Sequence, residues 1–119
     1  MAASAENIGF TDHNKEFDAG GPGPSVTRLT VDFTVFRVGP THVCGLIYTA
    51  NGWVDRLTSV ARFQQLNGDF ELWQAKTSVS GPIAGPPANF EYVIFCYDHR
   101  DINTIRKIYN NNNGETFRI

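Results

Sequence analysis

The sequence has little of what commits a chain to a disulfide framework, a membrane or a polyanion. Two cysteines, Cys44 and Cys96, occur in 119 residues, too few for the cross-linked scaffold of a small secreted domain. There is no run of about eighteen apolar residues, which excludes a helical membrane span. Charged residues make up 18% of the chain and sum to −2, and the basic ones are scattered except for the adjacent Arg106 and Lys107. Phosphate backbones and anionic membranes are met by clustered Lys and Arg, so neither nucleic acid nor a membrane is an expected partner. The opening MAASAENIGF lacks a basic stretch followed by an apolar one. The expected address is cytosolic, or extracellular if a leader has been removed.

Catalytic constellations are equally sparse. Cys96, Asp98, His99 and Asp101 form a cluster in sequence, but their spacing matches neither a zinc site nor a nucleophile triad. His13 and His42 could join them only through folding. Asp69 and Glu71 would share one strand face, and Asp98 and Asp101 a loop. Neither pair suggests two carboxyl groups flanking a scissile glycosidic bond. No enzyme activity, metal or cofactor is expected.

What the chain does contain is aromatic surface and β-pattern. Nine Phe, four Tyr and two Trp, within an apolar fraction of 41%, are ample for one packed core, and the length suits one domain. Residues 1–24 are polar and end in AGGPGPS, a Gly/Pro cluster that resists helix and strand. They read as an N-terminal arm, which Phe10 and Phe17 could tack onto the domain.

From Val26 the pattern alternates, with Leu29, Val31, Phe33 and Val35 on one face and Arg28, Thr30, Asp32 and Thr34 on the other. That is a strand signature. Further β-rich runs follow at THVCGLIYTA, LTSVARFQ, DFELWQAK, NFEYVIFCY, TIRKIY and ETFRI, separated by the turn signals VGPT, TANG, LNGD and GPIAGPPAN. The most helix-like window, RDINTIRKI, is short and serves a strand equally well. The expected fold over residues 25–119 is all-β, an immunoglobulin-like sandwich of two antiparallel sheets. Cys44 and Cys96 would lie on separate strands, faintly like the inter-sheet pair of immunoglobulin domains, but two buried free thiols are the simpler expectation.

The ending IYNNNNGETFRI admits two readings. Four consecutive asparagines, Asn110 to Asn113, are poor strand formers and suit a loop, because Asn tolerates left-handed backbone and hydrogen-bonds its own chain. A Tyr beside several Asn is also chemically apt for a sugar. A pyranose presents an apolar C–H face, which an aromatic ring covers, and a rim of hydroxyls, which primary amides meet with donor and acceptor together.

Taken with VDFTVFRVGPTHVCGLIYTANGW, FELWQAKTSV and NFEYVIFCYD, this ending resembles the family 21 carbohydrate-binding modules, starch- and glycogen-binding sandwiches found in some fungal glucoamylases and in glycogen-targeting subunits of protein phosphatase 1. The resemblance covers residues 26–119. It implies a non-catalytic domain that binds oligo- or polysaccharide, above all α-1,4-glucan, through two aromatic surfaces. The first would comprise Trp53, Tyr92 and Tyr109 with Asn111 and Asn112, and the second Tyr48, Phe63 and Phe70. Asn110 stands where the family usually has Asp, the loop DHRDINTIRK is longer than usual, and Phe63 and Phe70 replace tyrosines. Trp73 falls at a core position, and Phe117 would close the sandwich. An enzyme partner or a homo-oligomer is compatible with this reading. A stand-alone lectin for another glycan and a protein-interaction sandwich remain alternatives to the glucan reading.

Overall fold

Alternation of apolar and polar residues builds most of this structure, a computed structural model that describes residues 8–36, 42–83, 85–98 and 108–119, with the backbone alone at Ile108. Nine strands occur among the described residues: β1 (Ile8–Asp18), β2 (Pro24–Phe36), β3 (His42–Thr49), β4 (Leu57–Val60), β5 (Arg62–Asn67), β6 (Phe70–Ile83), β7 (Glu91–Asp98), β8 (Ile108–Asn110) and β9 (Phe117–Arg118). They form two antiparallel sheets. The first has the order β1-β2-β6-β5, and the second β4-β3-β7-β8 with β9 also paired to β7. The expected two-sheet sandwich is therefore present.

The core lies between the sheets, where the strand periodicity points every second side chain. Leu29, Val31, Phe33 and Val35 of β2 are buried, as are Trp73 and Ala75 of β6. They meet Cys44, Leu46 and Tyr48 of β3 and Tyr92, Ile94 and Cys96 of β7. Each large apolar side chain withdrawn from water in this way contributes about 1.5–3 kcal/mol. Trp73 takes the core position expected for it and donates its indole N–H to Glu71 Oε1 at 3.0 Å. Glu71 is itself buried, so this polar contact sits inside the apolar layer.

Cys44 and Cys96 are free and buried. They face each other across β3 and β7 of one sheet and do not join the two sheets as an immunoglobulin disulfide does. The hydrogen bond to Cys96, followed by burial and the nearby charge of Glu71, raises the Cys44 thiol far above its ordinary range.

Two chain segments depart from expectation. Residues 8–18, read as part of a polar arm, form β1 and pair with β2 from Ile8↔Val35 to Asp18↔Val26. AGGPG is therefore a hairpin turn. Gly20 and Gly21 take φ of 77° and 56°, values open to glycine, and Gly23 N donates to Gly20 O at 2.9 Å. Pro24 begins β2, a strand position where its missing N–H does little harm. The run LTSVARFQ, read as one strand, is divided at Ala61 between β4 of the second sheet and β5 of the first. Ala61 is buried and donates its N–H to Cys44 O at 2.8 Å, which fixes the crossing point. The turn VGPT, the side chains of His99 and Asp101, and most of RDINTIRKI lie outside the described residues.

Candidate functional site

The β3–β4 turn begins at Thr49, whose side chain is buried at the end of β3. Its hydroxyl accepts from Trp53 N at 3.1 Å and donates to Asn51 Oδ1 at 2.8 Å. Asn51 then grips Asp55 twice: Oδ1 accepts from Asp55 N at 2.9 Å and Nδ2 donates to Asp55 Oδ2 at 2.8 Å. Inside this frame Gly52 and Trp53 both have φ of 68°. For tryptophan that left-handed backbone costs on the order of 1–2 kcal/mol, and it persists only where neighbouring bonds over-determine it. The frame holds Trp53 with 37% of its surface in solvent.

A second turn projects from the opposite side of the same sheet. Asn110 pairs with Ile94, and Phe117 pairs with Tyr92. Residues 111–116, six in number, therefore stand opposite Val93 alone. This large excursion interrupts the edge between β8 and β9. Asn112, Asn113, Gly114 and Thr116 all have positive φ, from 55° to 89°, and asparagine and glycine are the residues that accept such backbone readily. Asn111 O accepts from Thr116 N at 2.9 Å, Asn111 Oδ1 accepts from Gly114 N at 3.0 Å, and Asn112 Nδ2 donates to Thr116 O at 3.0 Å. Asn110 Nδ2 anchors the base of the turn on Ile8 O at 2.7 Å. Among the described residues, Asn111 Nδ2 and Asn112 Oδ1 have no partner, so the exposed turn presents one amide donor and one amide acceptor to solvent.

Glu91 stands between the two turns. It faces Thr49 of β3 on one side and Arg118 of β9 on the other. Its Oε1 takes the Arg118 guanidinium at 3.2 Å and the Thr116 hydroxyl at 3.2 Å. A cleft of about 680 Å³ opens between Asn51, Gly52 and Asp55 on one wall and Pro82, Pro86 and Pro87 on the other. It shares Asn89 and Glu91 with a second hollow of about 530 Å³ that reaches Arg118. Arg118 in turn borders a third, of about 500 Å³, beside Asn112, Glu115 and Thr116. The three hollows follow one another across the end of the sheet from Gly52 to Asn112, a groove that Trp53 and Asn111 flank without lining it.

Of the residues assigned from sequence to the first aromatic surface, Trp53, Tyr109, Asn111 and Asn112 are on the outside, Tyr109 with 37% of its surface exposed. Tyr109 lies opposite Phe95, four residues along β7 from the Glu91 row, so it flanks the groove and does not line it. Tyr92 is a correction. It is wholly buried, packed 5.3 Å from Phe117 in a stack that continues to Phe10 at 5.1 Å. Its hydroxyl lies 2.8 Å from His13 Nδ1. Burial, and secondarily the charge of Asp12, raises that phenol above its ordinary range. A ring enclosed on both faces cannot receive a sugar.

The second surface does not assemble. Tyr48 is buried and hydrogen-bonded to Thr77 Oγ1 at 2.5 Å. Phe63 and Phe70 are exposed, at 51% and 46%, but on opposite faces of their sheet: Phe63 pairs with inward-facing Trp73, while Phe70 is in phase with Leu72 on the outer face. Three rings so disposed share no plane.

Sequence reasoning missed Thr49, Asn51, Asp55, Glu91 and Arg118. The Asn-Gly turn with an Asp four residues after the Asn was the available signal for the first part of the frame. Glu91 and Arg118 carry none, because only strand register brings them together.

The fold is similar to that in the solution structure of the carbohydrate binding module of the muscle glycogen-targeting subunit of Protein Phosphatase-1, with a TM-score of 0.57 and 14% sequence identity, covering 94% of this chain and 73% of that chain. The expected likeness to starch- and glycogen-binding modules holds at the level of the fold. No protein-family model matches the sequence, and no curated protein does.

Proposed function

We propose that this domain binds a polysaccharide of the α-1,4-glucan type along the groove between the Trp53 turn and the asparagine turn, without catalysing a reaction on it. The observation that carries this reading is the run of three hollows from Gly52 and Asp55 to Asn112, linked through Glu91 and Arg118, with the exposed and conformationally strained Trp53 next to its first wall and Asn111 next to its last. Trp53 supplies a ring for a pyranose face. The two amides supply a donor and an acceptor for adjacent hydroxyls. The likeness of fold to a glycogen-targeting subunit's module supports glucan over other glycans.

Glu91 and Asp55 border the groove as structural carboxylates. Glu91 holds Arg118 and Thr116, and Asp55 holds Asn51. Because both turns are held by their own hydrogen bonds, little ordering cost falls on the protein. One or two ring contacts with a few hydrogen bonds give about −5 to −7 kcal/mol, or a Kd of roughly 10–200 μM.

Calorimetric titration with maltoheptaose, preceded by a glycan array, tests the reading. Binding should weaken severalfold in Asn112→Ala and be lost in Trp53→Ala, with thermal unfolding of both variants still cooperative. A parent protein silent towards every glycan on the array would overturn the proposal and leave the protein-interaction reading in its place.

A further inference from the structure

The outer face of the first sheet carries a cleft of different chemistry. Val60, Arg62, Gln64, Gln74 and Lys76 enclose about 460 Å³ at the junction of β4, β5 and β6. Two cations and two amides converge there, and no carboxylate lines the wall. Neither Arg62 nor Lys76 has an anionic partner among the described residues. By contrast, Arg118 is paired with Glu91. The nearest acid identified by a contact is Asp32, whose Oδ1 accepts from Gln74 Nε2 at 2.9 Å.

The walls are held in place by bonds that leave the charged groups free. Ser59 Oγ donates to Lys76 O at 3.1 Å, which ties β4 to β6. Gln64 Nε2 donates to Arg62 O at 3.2 Å, which shapes the bulged start of β5. Arg62 and Gln74 are direct cross-strand partners, so their side chains leave the same face of the sheet side by side. In a chain of net charge −2, two unneutralised cations directed into one hollow favour an anion.

Charge balance selects which anion. A sulfate ester or a carboxylate brings one negative charge, whereas a phosphate monoester brings about 1.5 to 2 at neutral pH. The monoester matches Arg62 and Lys76 together. A guanidinium binds phosphate oxygens as a planar fork and an ammonium as a point charge, and amide side chains suit the hydroxyls next to the ester.

We propose that this cleft takes a phosphate monoester borne on the polysaccharide, so that the domain prefers phosphorylated over neutral glucan. The carrier rests on the binding reading above, while the anion chemistry rests on the cleft alone. The cleft lies further along β6, the strand that also walls the groove from Val79 to Pro82, so one branched glucan can engage both surfaces and gain through effective concentration.

The test compares a phosphorylated glucan with the same material after phosphatase treatment, in the parent and in an Arg62→Gln/Lys76→Gln double variant. Glucose 6-phosphate is added separately while amide resonances of β5 and β6 are followed. The phosphorylated glucan should bind about fivefold or more tightly to the parent than its dephosphorylated form. That preference should vanish in the double variant, with binding of neutral maltoheptaose unchanged, and should shrink at about 0.5 M salt. Equal affinity for the two glucans, or a preference that survives the double variant, would overturn the proposal. If no neutral glucan binds but glucose 6-phosphate still perturbs Arg62 and Lys76, the anion cleft stands and the glucan groove falls. A phosphoserine peptide that outcompetes the phosphorylated glucan would overturn polysaccharide as the carrier.

Discussion

Two regions of this surface expose aromatic rings, and they are built differently. At the β3–β4 turn, Trp53 rests on strained backbone held by Thr49, Asn51 and Asp55, beside a concave groove. At the β5–β6 edge, Phe63 and Phe70 lean on Trp73 and Phe36, at 5.9 and 5.8 Å. They have no polar frame and point to opposite faces. Both regions are exposed, so exposure alone does not distinguish a framed turn from a sheet edge. What distinguishes them is local free energy. A left-handed tryptophan is retained against its cost, whereas a phenylalanine on an edge strand sits in ordinary backbone.

The contrast between a core ring and a platform ring is tested most strongly at Tyr92. Tyr92→Ala should destabilise the domain by about 3–5 kcal/mol, the range for removing a buried aromatic side chain, as read from urea unfolding. A variant that kept its stability and lost only glucan binding would return Tyr92 to the surface.

Buried Tyr92 and Cys44 also set a pH dependence. Both have folded-state pKa values raised above their ordinary ones of 10.0 and 9.0. As pH rises past the ordinary values, the unfolded chain releases protons that the folded chain retains. Stability is therefore fully present at pH 7 to 8 and should fall above about pH 9, with a limiting slope of about 1.4 kcal/mol per pH unit for each group. Unfolding midpoints between pH 7 and 10.5 measure this, and Tyr92→Phe should reduce the slope. A midpoint that is flat, or that rises with pH, would contradict the burial of both groups.

The strain at Trp53 separates binding from stability. Trp53→Gly removes a penalty for positive φ and adds backbone freedom to the unfolded chain, two effects that nearly cancel, so stability should change by less than about 1 kcal/mol. Glucan affinity should fall at least about tenfold, or 1.4 kcal/mol. Parallel calorimetry and denaturation show whether the two quantities move independently. The smallest effect is expected at the other region, where Phe63→Ala and Phe70→Ala should leave glucan binding within about twofold and stability within about 1 kcal/mol. A large loss of binding in either would reinstate a second aromatic surface.

The strands were legible wherever alternation was clean, as in β2, where every inward residue from Leu29 to Val35 could be assigned in advance. β1 was hidden because a bulge between Phe10 and Asp12 breaks its alternation and two of its inward positions, His13 and Lys15, are polar, so that its place in the sheet comes from pairing with β2. The burial of Tyr48 and Tyr92 was present in the same periodicity: Tyr48 is in phase with Cys44 and Leu46, and Tyr92 with Ile94 and Cys96. Position-by-position transfer from the resembled family placed them outside, against that phase. The Glu91–Arg118 contact was not legible, because two residues 27 apart in the numbering become neighbours only through the register of β7 and β9.

The asparagine turn has a consequence for how such a domain can change. Strand register alternates side chains between two faces, so an inserted residue ordinarily turns a whole strand inside out. Residues 111–116 are exempt, since all six already stand opposite Val93 and no ladder counts them. β8 and β9 are each fixed by their own pairs with β7. The length of this turn can therefore drift while Phe117 stays in the core, so this part of the surface can vary without putting folding at risk.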